Sequence, residues 1–318
     1  TASDLAAAME SMPEVYGNIQ YVVVHDNIDG GSSDIQHADN GSTLGVKHDH
    51  EIAPGVTGFF KLELEGINAD DKDAENDNAG LNELDEAYIG IKGDSFGQVW
   101  VGSDDSTYES SIDKIANFYE YAALSLGGSY DTGKGDLVQY KSPSFGGLTV
   151  GAAVQINGDG DDQTLPDKNG KKSYPYQLAA TYSVDAIELA VAMDSNDGGG
   201  ANNENTYGVR ATYSMDALTL TGQYQTRKDA NDVWGVLGAY TMGANQFALS
   251  YELKIADDAP DTETDTVTVQ ALHNVSNNMY VYVEGYLGGG DKVYGEDVNG
   301  NPFSDERSQA AVGAVYYF

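Results

Sequence analysis

The residues best equipped for chemistry are few. His48-Asp49-His50-Glu51 sets two imidazoles two positions apart, on one face if the segment is a strand, and imidazole binds transition metals. The pair sits beside an Ala53-Pro54-Gly55 turn with no third ligand evident, so a solvated strand end is the expected reading. His25 and His273 are isolated, and no Ser/His/Asp arrangement can be argued. There is no cysteine, which excludes thiol catalysis, thiolate metal sites and disulfides. The remaining candidates are carboxylates in acidic runs such as NADDKDAENDNAG and INGDGDDQTLPDKNGKK, and Ca²⁺ wants several oxygen ligands. Asp71-Lys72-Asp73-Ala74-Glu75-Asn76 lacks the glycine an EF-hand needs in sixth place, so any Ca²⁺ on these loops stays unassigned. No enzyme activity is expected, and no cofactor beyond such Ca²⁺.

Charge narrows the partners. With 51 acidic against 16 basic residues the net charge is −35, which excludes nucleic acid as a partner and suits salty surroundings, where screening shortens self-repulsion. No apolar run approaches the ~20 residues of a membrane-spanning helix. The mean hydropathy of −0.42 looks soluble, yet a transmembrane barrel hides its membrane signal in alternation. The opening TASDLAAAMESM has no basic n-region and no long apolar stretch, so a mature exported chain is expected, its signal removed. Residues 1–13 read as an N-terminal extension in which an N-cap serine, Ser3, starts a short helix ending before Pro13.

The elements that must position any site are strands. In QFALSYELKIA (246–256), Phe247, Leu249, Tyr251, Leu253 and Ile255 alternate with small, polar or charged residues. The same period appears in 148–157, 207–215, 218–227 and 279–287. Counting from Glu14 to Phe318 gives roughly sixteen such segments of about ten residues, the length of tilted membrane strands. The 38 glycines and 22 tyrosines agree with an all-β chain.

Connections alternate between tight turns, such as Asp94-Ser95-Phe96-Gly97 and Met215-Asp216-Ala217, and long loops rich in Asp, Asn and Gly. Short turns at one end and long loops at the other predict a transmembrane antiparallel β-barrel, a single domain over 14–318. The second face of the strands carries Thr, Gln, Glu, Lys and Arg, as a water-filled lumen requires, so the apolar face must look at lipid.

The end AAVGAVYYF, with a terminal Phe, resembles the closing strand of Gram-negative general porins. Glu14-Val15-Tyr16-Gly17, Ser42-to-Lys47 and Glu86-to-Gly93 resemble their first, second and fourth strands, and Val138-to-Gly147 the strand and turn after the constriction loop. The resemblance implies an outer-membrane barrel of 16 strands, a homotrimer among lipid and lipopolysaccharide, with the third long loop (about 104–136) folded into the pore. It implies a channel for passive diffusion of small hydrophilic solutes.

That loop supplies Asp104, Asp105, Glu109, Asp113, Glu120 and Asp131, faced by Glu63 and Glu65 on a strand. Pore-lining cations are Lys47, Lys61, Lys92, Lys141, Arg210 and Arg307. Where relatives often carry lumenal arginine, this chain has Asn18, Thr43, Ser103 and Gln139, so a cation-selective channel is expected. Tyr88, Trp100, Tyr280 and Tyr282 fall on the lumen face. Aromatics there stack against sugar rings, which makes an oligosaccharide-specific porin the alternative. A soluble, secreted, Ca²⁺-binding adhesin or lectin is the alternative of a different class.

Overall fold

The computed structural model describes residues 1–70, 80–156, 173–198, 201–258 and 260–318. The EF-hand comparison at Asp71–Asn76 and nearly all of the acidic segment 156–172 lie outside these residues.

The chain is an up-and-down antiparallel meander. It runs through β1 (Glu14–Ile28), β2 (Ser33–Asp39), β3 (Thr43–Ala53), β4 (Val56–Glu65), β5 (Glu83–Gly93) and β6 (Gly97–Ser103). After the 104–136 loop come β7 (Leu137–Lys141), β8 (Leu148–Gln155), β9 (Tyr176–Val184), β10 (Ile187–Asp194) and β11 (Thr206–Met215). β12 (Leu218–Arg227), β13 (Asn231–Met242), β14 (Asn245–Ala256), β15 (Glu263–Ser276) and β16 (Met279–Gly290) follow. A small hairpin of β17 (Tyr294–Glu296) and β18 (Pro302–Ser304) rises from the last long loop before β19 (Arg307–Tyr317) closes the wall.

Closure is explicit. β19 pairs with β16 on one side and with β1 on the other, from Asn18↔Tyr317 to Ile28↔Arg307. β2 and β3 both pair with β1, at Tyr21–Asn27 and Glu14–Asn18 respectively, so together they fill one place in a wall of sixteen. β2 was not expected from the sequence; it prolongs that wall place toward the long-loop end. Closure gives β1, β3–β16 and β19 a partner on both sides, which is what hydrocarbon demands of backbone polar groups. At the seam, Gly17 and Phe318 exchange backbone hydrogen bonds of 3.2 and 3.1 Å. A Cβ on Gly17 would meet the Phe318 ring and the Thr43 carbonyl at 2.6 Å, so the seam requires glycine there.

The wall is inside out relative to a soluble sandwich. Along β14, Phe247, Leu249 and Tyr251 are 43, 58 and 40% exposed, while Ser250 and Glu252 on the alternate positions are 2 and 0% exposed. Burial alternates in the same sense along β11, β12 and β15. An exposed apolar belt over a polar interior is stable only with lipid outside.

Turns at one end are tight, and two of them place Asp185 and Asp216 at φ +50° and +47°, a left-handed conformation that Asp tolerates. One connection at the long-loop end, 228–230, is equally tight, with Asp229 at φ +58°. A helix, α1 (Ala2–Glu10), precedes the barrel. Its cap is Thr1, in a capping box with Asp4, rather than the expected Ser3.

Candidate functional site

The segment 104–136 folds into the lumen, and the wall chemistry explains why it seats there. It carries a short helix, α2 (Thr107–Ile112), capped by Ser106. Tyr108 and Ile112 of α2 pack on Ala190 and Ala192 of β10. Further on, Ile115, Tyr119 and Leu124 pack on Leu237, Ala248 and Tyr286. The wall positions beneath the loop are small for this reason: a Cβ on Gly208 would sit 2.5 Å from the Tyr108 hydroxyl, and one on Gly235 2.8 Å from Ile115.

A second layer of contacts is polar. A loop inside a barrel must satisfy its backbone amides, and carboxyl and carboxamide oxygens of the wall do so. Glu284 on β16 accepts from the amides of Glu120 (2.8 Å) and Tyr121 (3.0 Å), and from Gln270 and Tyr286. Glu252 on β14 accepts from the Leu126 amide at 3.2 Å. Asp194 on β10 accepts from the Thr132 amide (3.1 Å) and hydroxyl (2.5 Å). Gln177 and Gln223 accept from the amides of Tyr108 and Ile115. Asp194, Glu252 and Glu284 therefore hold the loop, a role the sequence reading did not assign.

The expected pore carboxylates fall into different places. Asp113 is buried between loop and wall, accepting from the Gly128 amide, Tyr130, Gln223 and Gln225, and so does not line open water. Glu109 is also buried, bonded by Asn117 and paired with Lys134 at 3.2 Å. Asp105 pairs with Lys134 at 2.6 Å and Asp131 with Arg227 at 2.7 Å. Asp104 accepts from Trp100 Nε1 at 2.8 Å; burial, only partly offset by that bond, pushes its carboxyl up to about 6. Glu120 accepts from Tyr280 at 2.8 Å, and burial raises it above the usual carboxylate range. Glu63 and Glu65 lie on β4; Glu63 accepts from the Tyr16 hydroxyl.

On the wall of β3–β5, Lys47, Lys61 and Lys92 keep full or partial exposure. These cations are neutralised in place. Lys47 faces Glu14 at 3.6 Å, Lys92 faces Asp49 at 2.5 Å, and Lys61 bridges Glu63 and Glu86. Arg210 pairs with Glu188 at 2.7 Å and Arg307 with Asp26 at 2.6 Å. Lys141, alone among the six expected lumen cations, has no carboxylate within ion-pair distance among the described residues. Asn18 donates to Thr43 at 2.8 Å, and Gln139 accepts from Thr107 under the loop.

The aromatics divide likewise. Tyr282 is buried against Val22, Val24 and Val315, covered by Tyr121 of the loop, so it presents no stacking face. Tyr88, Trp100 and Tyr280 keep partial exposure. His48 and His50 stand 6.0 Å apart, with His48 bonded to the Ser11 carbonyl at 3.0 Å. Among the described residues no group of three or more metal-ligating side chains comes together.

A closed sixteen-place barrel narrowed by an inward loop is the architecture the comparisons match. The profile of the Gram-negative porin family matches residues 1–291. The chain belongs to that family. Two similar proteins from Halomonas, one called a monosaccharide porin and the other, from Halomonas elongata, a major outer membrane protein, are each 26% identical, over 96% of this chain and 91% of theirs. Among solved structures, the anion-selective porin of Comamonas acidovorans superposes with a TM-score of 0.76 at 18% identity, covering 96% of this porin and 99% of that chain. Salmonella typhi OmpF gives 0.75 at 18% identity, over 98 and 99%. At such identity these structures speak for the fold. This porin resides in the outer membrane, where its lumen is a water-filled path for passive diffusion of small hydrophilic solutes.

Proposed function

We propose that this porin favours small cations and works as a homotrimer. One observation carries the ion preference: five of the six expected lumen cations are already faced by carboxylates, whereas Glu65, Asp104 and Glu120 have no cation within ion-pair distance among the described residues. Surplus carboxylate between low-dielectric walls focuses a negative potential that concentrates cations and repels anions. The net charge of −35 adds to it at the mouths. Trimer assembly is supported by the likeness to general porins. Ca²⁺ bridging between the acidic loops is proposed as an accessory, supported by their composition.

The test is the zero-current potential of single channels under a KCl gradient. It is expected to show K⁺ favoured over Cl⁻, with the ratio falling as salt rises because screening shortens the field. Preference for Cl⁻ would overturn the reading.

A second reading is sugar passage. The Halomonas relative's name and the part-exposed Trp100 and Tyr88 favour it. Current block by monosaccharides or oligosaccharides at micromolar concentration would establish a specific channel; indifference to them would leave general diffusion.

A further inference from the structure

A niche of about 480 Å³ opens beneath the constriction loop, between α2 and the inner faces of β6–β11. Its lining includes Gln98, Lys141, Ser183 and Glu188, which stand at strand ends next to the short turns, so it opens toward that end. Its volume falls in the range of small-molecule sites.

Its three carboxylates and three cations are unevenly paired. Asp105 is faced by Lys134 and Glu188 by Arg210. Asp104 accepts from Trp100 Nε1 and from the Asp105 amide, each at 2.8 Å, and is a lining carboxylate with no cation within ion-pair distance among the described residues. Lys114 and Lys141 remain, with no carboxylate within ion-pair distance among the described residues. Lys114 is held below the usual lysine range first by burial and then by repulsion from Arg210, against the attraction of Glu188 and Asp105. Two unpaired ammonium groups thus line one space, in a chain that has only 16 basic residues. Both lysines are exposed to the niche, so their ammonium groups are open to an anionic guest.

The rest of the lining indicates what the anion is attached to. Gln98, Thr149, Thr181 and Ser183 offer hydroxyl and carboxamide groups, able to donate and accept. Trp100 and Tyr140 offer flat apolar faces to a carbon skeleton.

We propose that this niche is a binding site for a small polyhydroxylated carboxylate of the sugar-acid class, its carboxylate between Lys114 and Lys141 and its hydroxyls on the amide and hydroxyl lining. The proposal rests on the chain being a channel and is independent of which ion the channel prefers.

The experiment is single-channel recording in planar bilayers with glucuronate, or glucose at the same concentration, added to either side at constant ionic strength. Millimolar glucuronate is expected to interrupt the current, more strongly from the short-turn side, and glucose to leave it unaffected. Lys114→Gln with Lys141→Gln should weaken the block at least tenfold, and Lys141→Arg, which keeps the charge, should retain it. Should the double variant not insert, Lys141→Gln alone against Lys141→Arg gives the same contrast. Equal block by glucose and glucuronate, or block unchanged when the lysines are neutralised, would overturn the site. The zero-current potential of the same channels reports ion preference separately, so the two claims can fail independently.

Discussion

Replacing Glu284 with alanine should unfasten the constriction loop at its centre. The carboxyl is fully buried and accepts four hydrogen bonds, two of them from the loop amides of Glu120 and Tyr121. Alanine leaves both amides facing a gap. A buried donor without a partner costs about 1–3 kcal/mol, so the seated loop loses roughly 2–6 kcal/mol against a locally detached one. At 1.4 kcal/mol per factor of ten, even the lower figure shifts the equilibrium about thirty-fold. The other holds, Asp194 and Glu252, stay in place, so only the stretch around Glu120–Ala122 is freed to swing into the lumen. Single-channel recording should show frequent brief closures and excess open-channel noise absent from the parent protein. Glu284→Gln keeps one acceptor oxygen and should lie between. A properly inserted Glu284→Ala channel with unchanged closing frequency and noise would refute the claim that wall carboxyls hold the loop.

Further outcomes follow from the same geometry. Leu249 is lipid-facing near the middle of β14, so Leu249→Arg should destabilise the barrel by up to ~2–4 kcal/mol in denaturant titrations in vesicles, while Ser250→Ala, on the other face, should be mild. Asp104 ionises near pH 6, so cation preference should decline as pH falls through about 6, when the carboxyl gains its proton, and Asp104→Asn should remove that step from the pH profile of the zero-current potential. Gly208→Val places atoms within 2.8 Å of the Tyr108 hydroxyl and Ile112, so its channels should insert yet differ from the parent in unit conductance; identical conductance would show that the loop does not rest there.

Much of the wall was legible because lipid on one side and water on the other leave a strict period of two, as in 246–256. The strand starts at Glu14, Val56, Gly97, Ile187, Leu218, Asn245, Met279 and Arg307 stand where alternation and turn residues put them. β2 escaped notice because Ser33–Asp39 offers little contrast between its faces. The site was less legible. Alternation puts Glu252 and Glu284 on the wet face, but whether a wet-face carboxyl meets water or a loop amide depends on the path of a distant segment. For the same reason Asp113 and Tyr282 read as lumen residues and are in fact covered. One signal was present: Ala190, Ala192, Gly208, Gly235 and Ala248 are small residues on the wet face, and they mark where the loop lies.

The most direct test of a water-filled, carboxylate-dominated lumen uses the absence of native cysteine. Asn18→Cys places a single thiol on the wet face of β1, where Asn18 is half-buried beside Thr43. A cationic methanethiosulfonate is expected to reduce single-channel current in one step, and at low salt to react faster than an anionic reagent of the same size. A thiol that neither reagent reaches, or one that the anionic reagent modifies faster, would contradict the account.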